Sequence, residues 1–132
     1  MLHRALSEYL GLVDEAVLRF PGLYVDYYIH EVISHERVNV RFRMRSNRGH
    51  LLEVSEALSI ESDMLTFLDY RYHFQDQDHH MMFRYDSTPH HRHIPTFPHH
   101  KHLPGAVVPS SKPNIEQVIE EAVRALHGEF RN

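Results

Sequence analysis

Six of the fourteen histidines stand in one stretch, PHHRHIPTFPHHKH at 89–102, where a Pro-His-His-basic-His unit occurs at 89–93 and returns at 98–102. Imidazoles at this density have four uses: to ligate a metal, to transfer protons, to line a phosphate site, or to lie as a solvated strip without chemistry. The stretch is interrupted, framed by prolines and followed by thirty further residues that read as ordered, which is unlike an affinity tag.

Adjacent side chains of an extended segment point to opposite sides, so His91 pairs with His93 and His100 with His102, and only part of the cluster can converge. Two such pairs brought together would offer four imidazoles to a tetrahedral zinc or nickel ion. Against that reading, Arg92 and Lys101 place a cation inside each pair, and no helical His-x-x-x-His or Glu-x-x-His element accompanies them. Proton transfer asks less of the geometry. RNA cleavage without metal needs a base for the 2′-hydroxyl proton, an acid for the leaving 5′-oxygen and cations for the phosphorane; histidine suits the first two roles and arginine the third.

The elements that must position these groups are readable from periodicity. Leu2, Leu6, Tyr9, Leu10, Val13, Val17 and Phe20 recur at helical spacing, predicting a helix over 2–20 that ends at Pro21-Gly22. From 23 to 86 the period becomes two. Five strands are predicted, at about 23–32, 36–45, 50–60, 64–74 and 79–86, with connections short enough for an antiparallel meander. Val38, Val40, Phe42 and Met44 share one face of the second strand, opposite Arg37, Asn39, Arg41, Arg43 and Arg45. Leu68, Tyr70, Tyr72 and Phe74 oppose Asp69, Arg71 and His73; Met81, Phe83 and Tyr85 oppose His80, Met82, Arg84 and Asp86. One sheet face is thus apolar and the other carries Arg, His and acid. Glu56 alternates with Leu52, Val54, Leu58 and Ile60, which places it either at the sheet's end or buried as a carboxylate on the apolar side.

Five prolines between 87 and 111 predict an unpaired extended loop, and Pro113 opens a helix over 113–127 with Ile115, Val118, Ile119, Ala122, Val123 and Leu126 as its stripe. The expected architecture is a single α+β domain over 1–132: a five-stranded antiparallel sheet, two helices on its apolar face and a His/Pro-rich loop after the last strand. That loop starts at Asp86, on the edge of the platform formed by Arg41, Arg43, Arg71, His73 and Arg84. The arginine stripe is either a solvated strand face or a phosphate-binding one.

Composition narrows the classes. The 132 residues hold no cysteine, so disulfides, thiolate metal sites and cysteine nucleophiles are excluded. No apolar run approaches the roughly 18 residues of a bilayer span, and the first twenty residues do not read as a signal peptide, so a soluble, unprocessed cytoplasmic protein is expected. The formal charge of −4 counts every histidine as neutral. Nine histidines lie between His73 and His102, so a titratable cationic region is expected between acidic ends.

The run YRYHFQDQDHHMMFRYDSTPHHRHIPTFPHHKH at 70–102, with GHLLEVSEALSIE at 49–61 before it, resembles the TumE toxins of bacterial toxin-antitoxin systems over most of the chain. Its specific parts are Tyr-x-Tyr-His, Arg-Tyr-Asp, the first Pro-His-His and Thr-Phe-Pro-His-His-Lys-His. The resemblance implies a small toxin encoded beside a helix-turn-helix antitoxin, with RNA as target through similarity to RelE-like folds. Carried onto this sequence, its matching positions are His73, Arg84, Asp86, His90, His91, His99, His100 and His102. The resulting expectation is a toxin without cofactor, acting as a metal-independent endoribonuclease or a translation-blocking RNA binder. His73 and one or two loop histidines are its acid and base, Arg84 with Arg71 or Lys101 holds phosphate, and Asp86 orients an imidazole. The alternatives are a histidine-rich zinc- or nickel-binding protein and a non-catalytic interaction module; a homodimer is compatible with each.

Overall fold

The computed structural model describes residues 1–89 and 91–128. Helix α1 (Arg4–Arg19) starts where the His3 ring accepts from the Ala5 amide at 3.0 Å, and it buries Leu6, Leu10, Val13, Ala16 and Val17. Helix α2 (Ile115–Leu126) starts on a reciprocal cap: Asn114 Oδ1 accepts from the Gln117 amide at 2.8 Å, and Gln117 Oε1 accepts from the Asn114 amide at 2.9 Å. Two otherwise orphaned amides are thereby satisfied. Pro113 therefore stands just outside the helix that the sequence places it in.

Between the helices run β1 (Tyr24–Ser34), β2 (Arg37–Arg45), β3 (Leu51–Glu61), β4 (Met64–Gln75), β5 (Met81–Asp86), β6 (His100–Leu103) and β7 (Ala106–Pro109). They form one antiparallel sheet in chain order. The sheet has seven strands where the sequence predicted five, and the two extra ones come from the segment predicted to be unpaired. Proline content misled there because the prolines bracket the strands and do not interrupt them. Pro104-Gly105 is the two-residue turn between β6 and β7, with Gly105 at φ +80°, a value open to glycine, and Pro109 sits on an edge strand, where no neighbour needs its missing N–H.

Alternation otherwise holds. Val38, Val40, Phe42, Met44, Leu52, Val54, Leu58, Tyr70, Tyr72, Phe74, Phe83 and Tyr85 are buried beneath the two helices in one core. Leu68 and the start of β5 depart from it: a register shift at Phe74/Gln75 pairs Met81 with Gln75 and packs Met82 against the core, the reverse of their predicted sides. A bulge pairs Phe67 with Leu58 and Asp69 with Ala57, leaving Leu68 exposed and turning Phe67 toward the core in its place. The long edge strand β1 carries two register shifts of its own, at Val25/Tyr27 and Val32/Ser34. Among the described residues no helix is long and apolar enough to cross a membrane.

Candidate functional site

Strand register assembles the open face of the sheet into two rows. In one, Arg41, Ser55, Arg71, Asp86 and His100 lie opposite one another across five strands; in the other, Arg43, Glu53, His73, Arg84 and His102 do so. Neighbours in a row are one interstrand step apart, about 5 Å. Pairing of β6 with β5 is what carries His100 next to Asp86 and His102 next to Arg84.

The rows end in a cluster that the connection between β5 and β6 closes from above. This connection is a chain of turns, not an extended path. The Ile94 amide donates to the His91 carbonyl, the Phe97 amide to Ile94 and the His99 amide to Thr96, with buried Ile94 as anchor. The turns lay the His91 ring against His100 and His102, with centroids 5.0 and 5.8 Å apart, while the rings of His100 and His102 are 4.8 Å apart. Asp86 and His100 are almost fully buried, at 5% and 2% exposure.

His100 Nε2 lies 2.7 Å from Asp86 Oδ1 and 3.1 Å from His102 Nε2. Its Nδ1 donates to the Pro98 carbonyl at 2.9 Å, because a carbonyl only accepts. Asp86 also takes the Thr88 amide on Oδ1 at 3.1 Å, while its Oδ2 faces Arg84 Nε at 3.8 Å and His102 Nε2 at 3.7 Å. Burial pushes the His102 imidazole below its ordinary range, opposed by the Asp86 charge. Burial does the same to His73, against a 3.1 Å hydrogen bond that its Nε2 donates to Gln75 Oε1, with Arg84 adding to the depression. His73 Nδ1 and Arg84 Nε are buried without a hydrogen-bond partner among the described residues.

Residues 10–129 match the family model described as Toxin TumE. The chain belongs to the TumE toxin family. Neither curated proteins nor solved structures gave a match. Membership of a toxin family implies an antitoxin partner.

In this TumE toxin the sequence-predicted residues divide into three groups. Asp86, His91, His100 and His102 converge, with Arg84 beside them and His73 next to Arg84 in its row. Arg41, Arg43 and Arg71 share the same face: Arg43 reaches Glu53 at 3.4 Å and lies over Tyr27, while Arg41 and Arg71 are exposed and have no hydrogen bond or ion pair among the described residues. Tyr27, Arg41, Glu53, Ser55 and Arg71 line a cleft of about 300 Å³ next to Asp86 in its row.

Lys101 and His99 do not join them. Alternation along β6 turns Lys101 to the helix side, where it donates to Glu121 at 2.7 Å and lies over Tyr85, so its expected place among the phosphate contacts is corrected. His99 stacks on Tyr70, a member of the helix-side core, and meets its hydroxyl at 2.9 Å. His90 lies outside the described residues. Ser55 and Tyr27 were not singled out from sequence. Alternation with Glu53 already placed Ser55 on the polar face, whereas nothing in the first strand's pattern marked Tyr27.

A second trio, Asp76, Asp78 and His80, lies in the β4–β5 turn. Asp76 Oδ1 accepts the amides of Asp78 and His80 there at 2.8 and 3.0 Å, and these bonds, the His80 amide first, hold its carboxyl below the ordinary range. That is ordinary turn chemistry.

Proposed function

We propose that this TumE-family chain acts on RNA as a metal-independent endoribonuclease, with the open sheet face as its substrate platform. The observation supporting this most strongly is the convergence of three imidazoles and a carboxylate at one end of a row whose Arg41 and Arg71 guanidiniums are unpaired among the described residues. Free guanidiniums suit phosphate, and imidazoles, which exchange protons near neutrality, stand two strands from Arg71 on the same sheet.

In the reaction, a base removes the 2′-hydroxyl proton, the 2′-oxygen attacks the adjacent phosphorus, and the bond to the 5′-oxygen breaks as an acid protonates it. The products are a 2′,3′-cyclic phosphate and a 5′-hydroxyl. His102 and His91 are the catalytic pair. Both are partly exposed and their rings are 5.8 Å apart, a span suited to one phosphodiester. His100 is buried between Asp86 and the Pro98 carbonyl and is a positioning residue. His73 stands two strands from His102, roughly 10 Å by interstrand spacing, too far to share the same phosphate. Arg71 and Arg41 hold the backbone of the strand, and Arg84 faces the reacting phosphate.

The antitoxin of this reading is a helix-turn-helix protein encoded nearby, and the place of action is the cytoplasm. Incubation of tag-free protein with cellular RNA tests it. Cleavage that persists in chelator, leaves cyclic-phosphate ends and follows a bell-shaped pH profile is expected. RNA bound but never cut would replace the enzyme with a translation-blocking binder.

A further inference from the structure

We propose that Asp86, His91, His100 and His102 also form a binding site for one zinc-class divalent cation, and that metal and substrate exclude each other there. The first half stands on geometry alone; the second rests on the acid–base reading above.

The donor arrangement of His100 is decisive. Its Nδ1 proton is committed to the Pro98 carbonyl, so a neutral ring turns the lone pair of Nε2 inward. Two further groups meet that lone pair: Asp86 Oδ1, a carboxylate acceptor, at 2.7 Å, and His102 Nε2, donor or acceptor according to its tautomer, at 3.1 Å. Lone pairs brought this close in a buried place need a positive centre between them, either a proton or a metal ion. A ring nitrogen fixed by its partner's bond to a backbone carbonyl is also the usual outer-shell arrangement of a metal-binding histidine.

Distances allow the metal. Zinc–nitrogen bonds of about 2.0–2.1 Å in a tetrahedron set ligand atoms roughly 3.3 Å apart. His100 Nε2 lies 3.1 Å from His102 Nε2, one nitrogen from each of His91, His100 and His102 falls within 4.8 Å of the others, and the Asp86 carboxylate adjoins this trio with Oδ1 2.7 Å from His100 and Oδ2 3.7 Å from His102. Three imidazoles and one carboxylate are a borderline donor set, suited to Zn²⁺ or Ni²⁺ and not to Mg²⁺ or Ca²⁺.

The cations that argue against metal in the sequence do not face the cluster. Lys101 is paired with Glu121 on the other side of the sheet, and exposed Arg92 lies over the Phe97 ring. Arg84, 3.8 Å from Asp86, is the positive group that remains close; it tunes affinity downward and favours exchange. A metal held by these nitrogens occupies the lone pairs that His91 and His102 need for proton transfer. The same cell chemistry that supplies zinc would then silence the toxin.

Tag-free full-length chain, purified without a metal column, is titrated with Zn²⁺ against a chromophoric chelator, and its melting temperature is followed in parallel. One zinc per chain, a higher melting temperature on loading, and affinity lowered about tenfold or more by H102A and by H91A are expected. H99A and H80A serve as controls and leave the affinity unchanged. Both ligand variants change partly exposed residues, so their folding is verified by their own melting transitions. Non-saturating binding, or equal losses in the H99A or H80A controls, overturns the site. Cleavage of RNA by zinc-free protein that stops on loading supports exclusion, and cleavage that rises on loading overturns it. A chain that binds one zinc yet cuts no RNA in either state leaves the metal site intact and removes the nuclease reading.

Discussion

Two carboxylates are buried in this sheet, one on each face, and their surroundings differ in kind. Glu56, at 2% exposure, lies under the helices, where Tyr9 donates to it at 2.5 Å and Tyr72 donates to its other oxygen. Burial pushes the Glu56 carboxyl up, and burial with the Glu56 charge pushes both phenols up as well. Neither of those hydroxyls ionises near neutrality, and Lys112, which lies 3.8 Å over the Phe67 ring, acts on the Glu56 carboxyl only through its charge, drawing it down against burial. Asp86 is buried almost as deeply, yet it is held by imidazoles, an amide and a nearby guanidinium on the uncovered face. Depth alone therefore does not mark a site. What separates the two is whether the partners can exchange protons near pH 7 and whether a substrate can reach them.

This contrast can be broken most sharply by parallel substitutions. H102A or H91A is expected to lower RNA cleavage by about 10²–10⁴-fold, the usual worth of a general acid or base, with the unfolding midpoint in urea nearly unchanged. E56A is expected to do the reverse. It strands two buried hydroxyls and opens a cavity, costing about 3 kcal/mol in urea unfolding, while kcat of the remaining folded protein stays near wild type. Loss of catalysis in folded E56A would erase the distinction drawn between the faces.

The pH dependence of stability sharpens it next, because the two faces carry opposite signs. His73 has a lowered folded pKa, so its stabilising contribution is present above its unfolded value near 6.5 and is lost as pH falls through the folded one. Glu56 has a raised folded pKa, so its contribution is complete below an unfolded value near 4.3 and is lost as pH rises through the folded one. Melting scans between pH 4 and 8 are expected to lose part of their acid-side fall in H73Q and part of their alkaline-side fall in E56Q. The smallest expected effect is at the arginines. R71A and R41A should each reduce the salt slope of RNA binding by about one, with stability shifted by less than about 0.5 kcal/mol, whereas K101A should leave RNA binding unchanged.

Much of this was legible from residue order. Period two in 37–45 and 50–60 fixed which side chains face the helices, Glu56 among them, because a sheet buried on one side enforces that period. Leu68 escaped, since a bulge changes parity without leaving a sequence mark. The larger miss was β6. Alternation already set Lys101 opposite His100 and His102, but an unpaired loop ties neither side to a sheet face, so all three could be grouped at one site; as a strand, β6 sends Lys101 to the helix side. His91 reaches the cluster through three successive turns, and no periodicity encodes that route.

Pairing of four-residue β6 with β5 has a further consequence: which chemistry the open face presents is an odd-or-even choice. A slip by one position would swap both imidazoles for an ammonium group and drive the rings into the oily layer. The connection anchored by buried Ile94 leads into that pairing and sets its parity, so inserting a single residue between Ile94 and His100 should disarm the molecule while leaving its bulk folded.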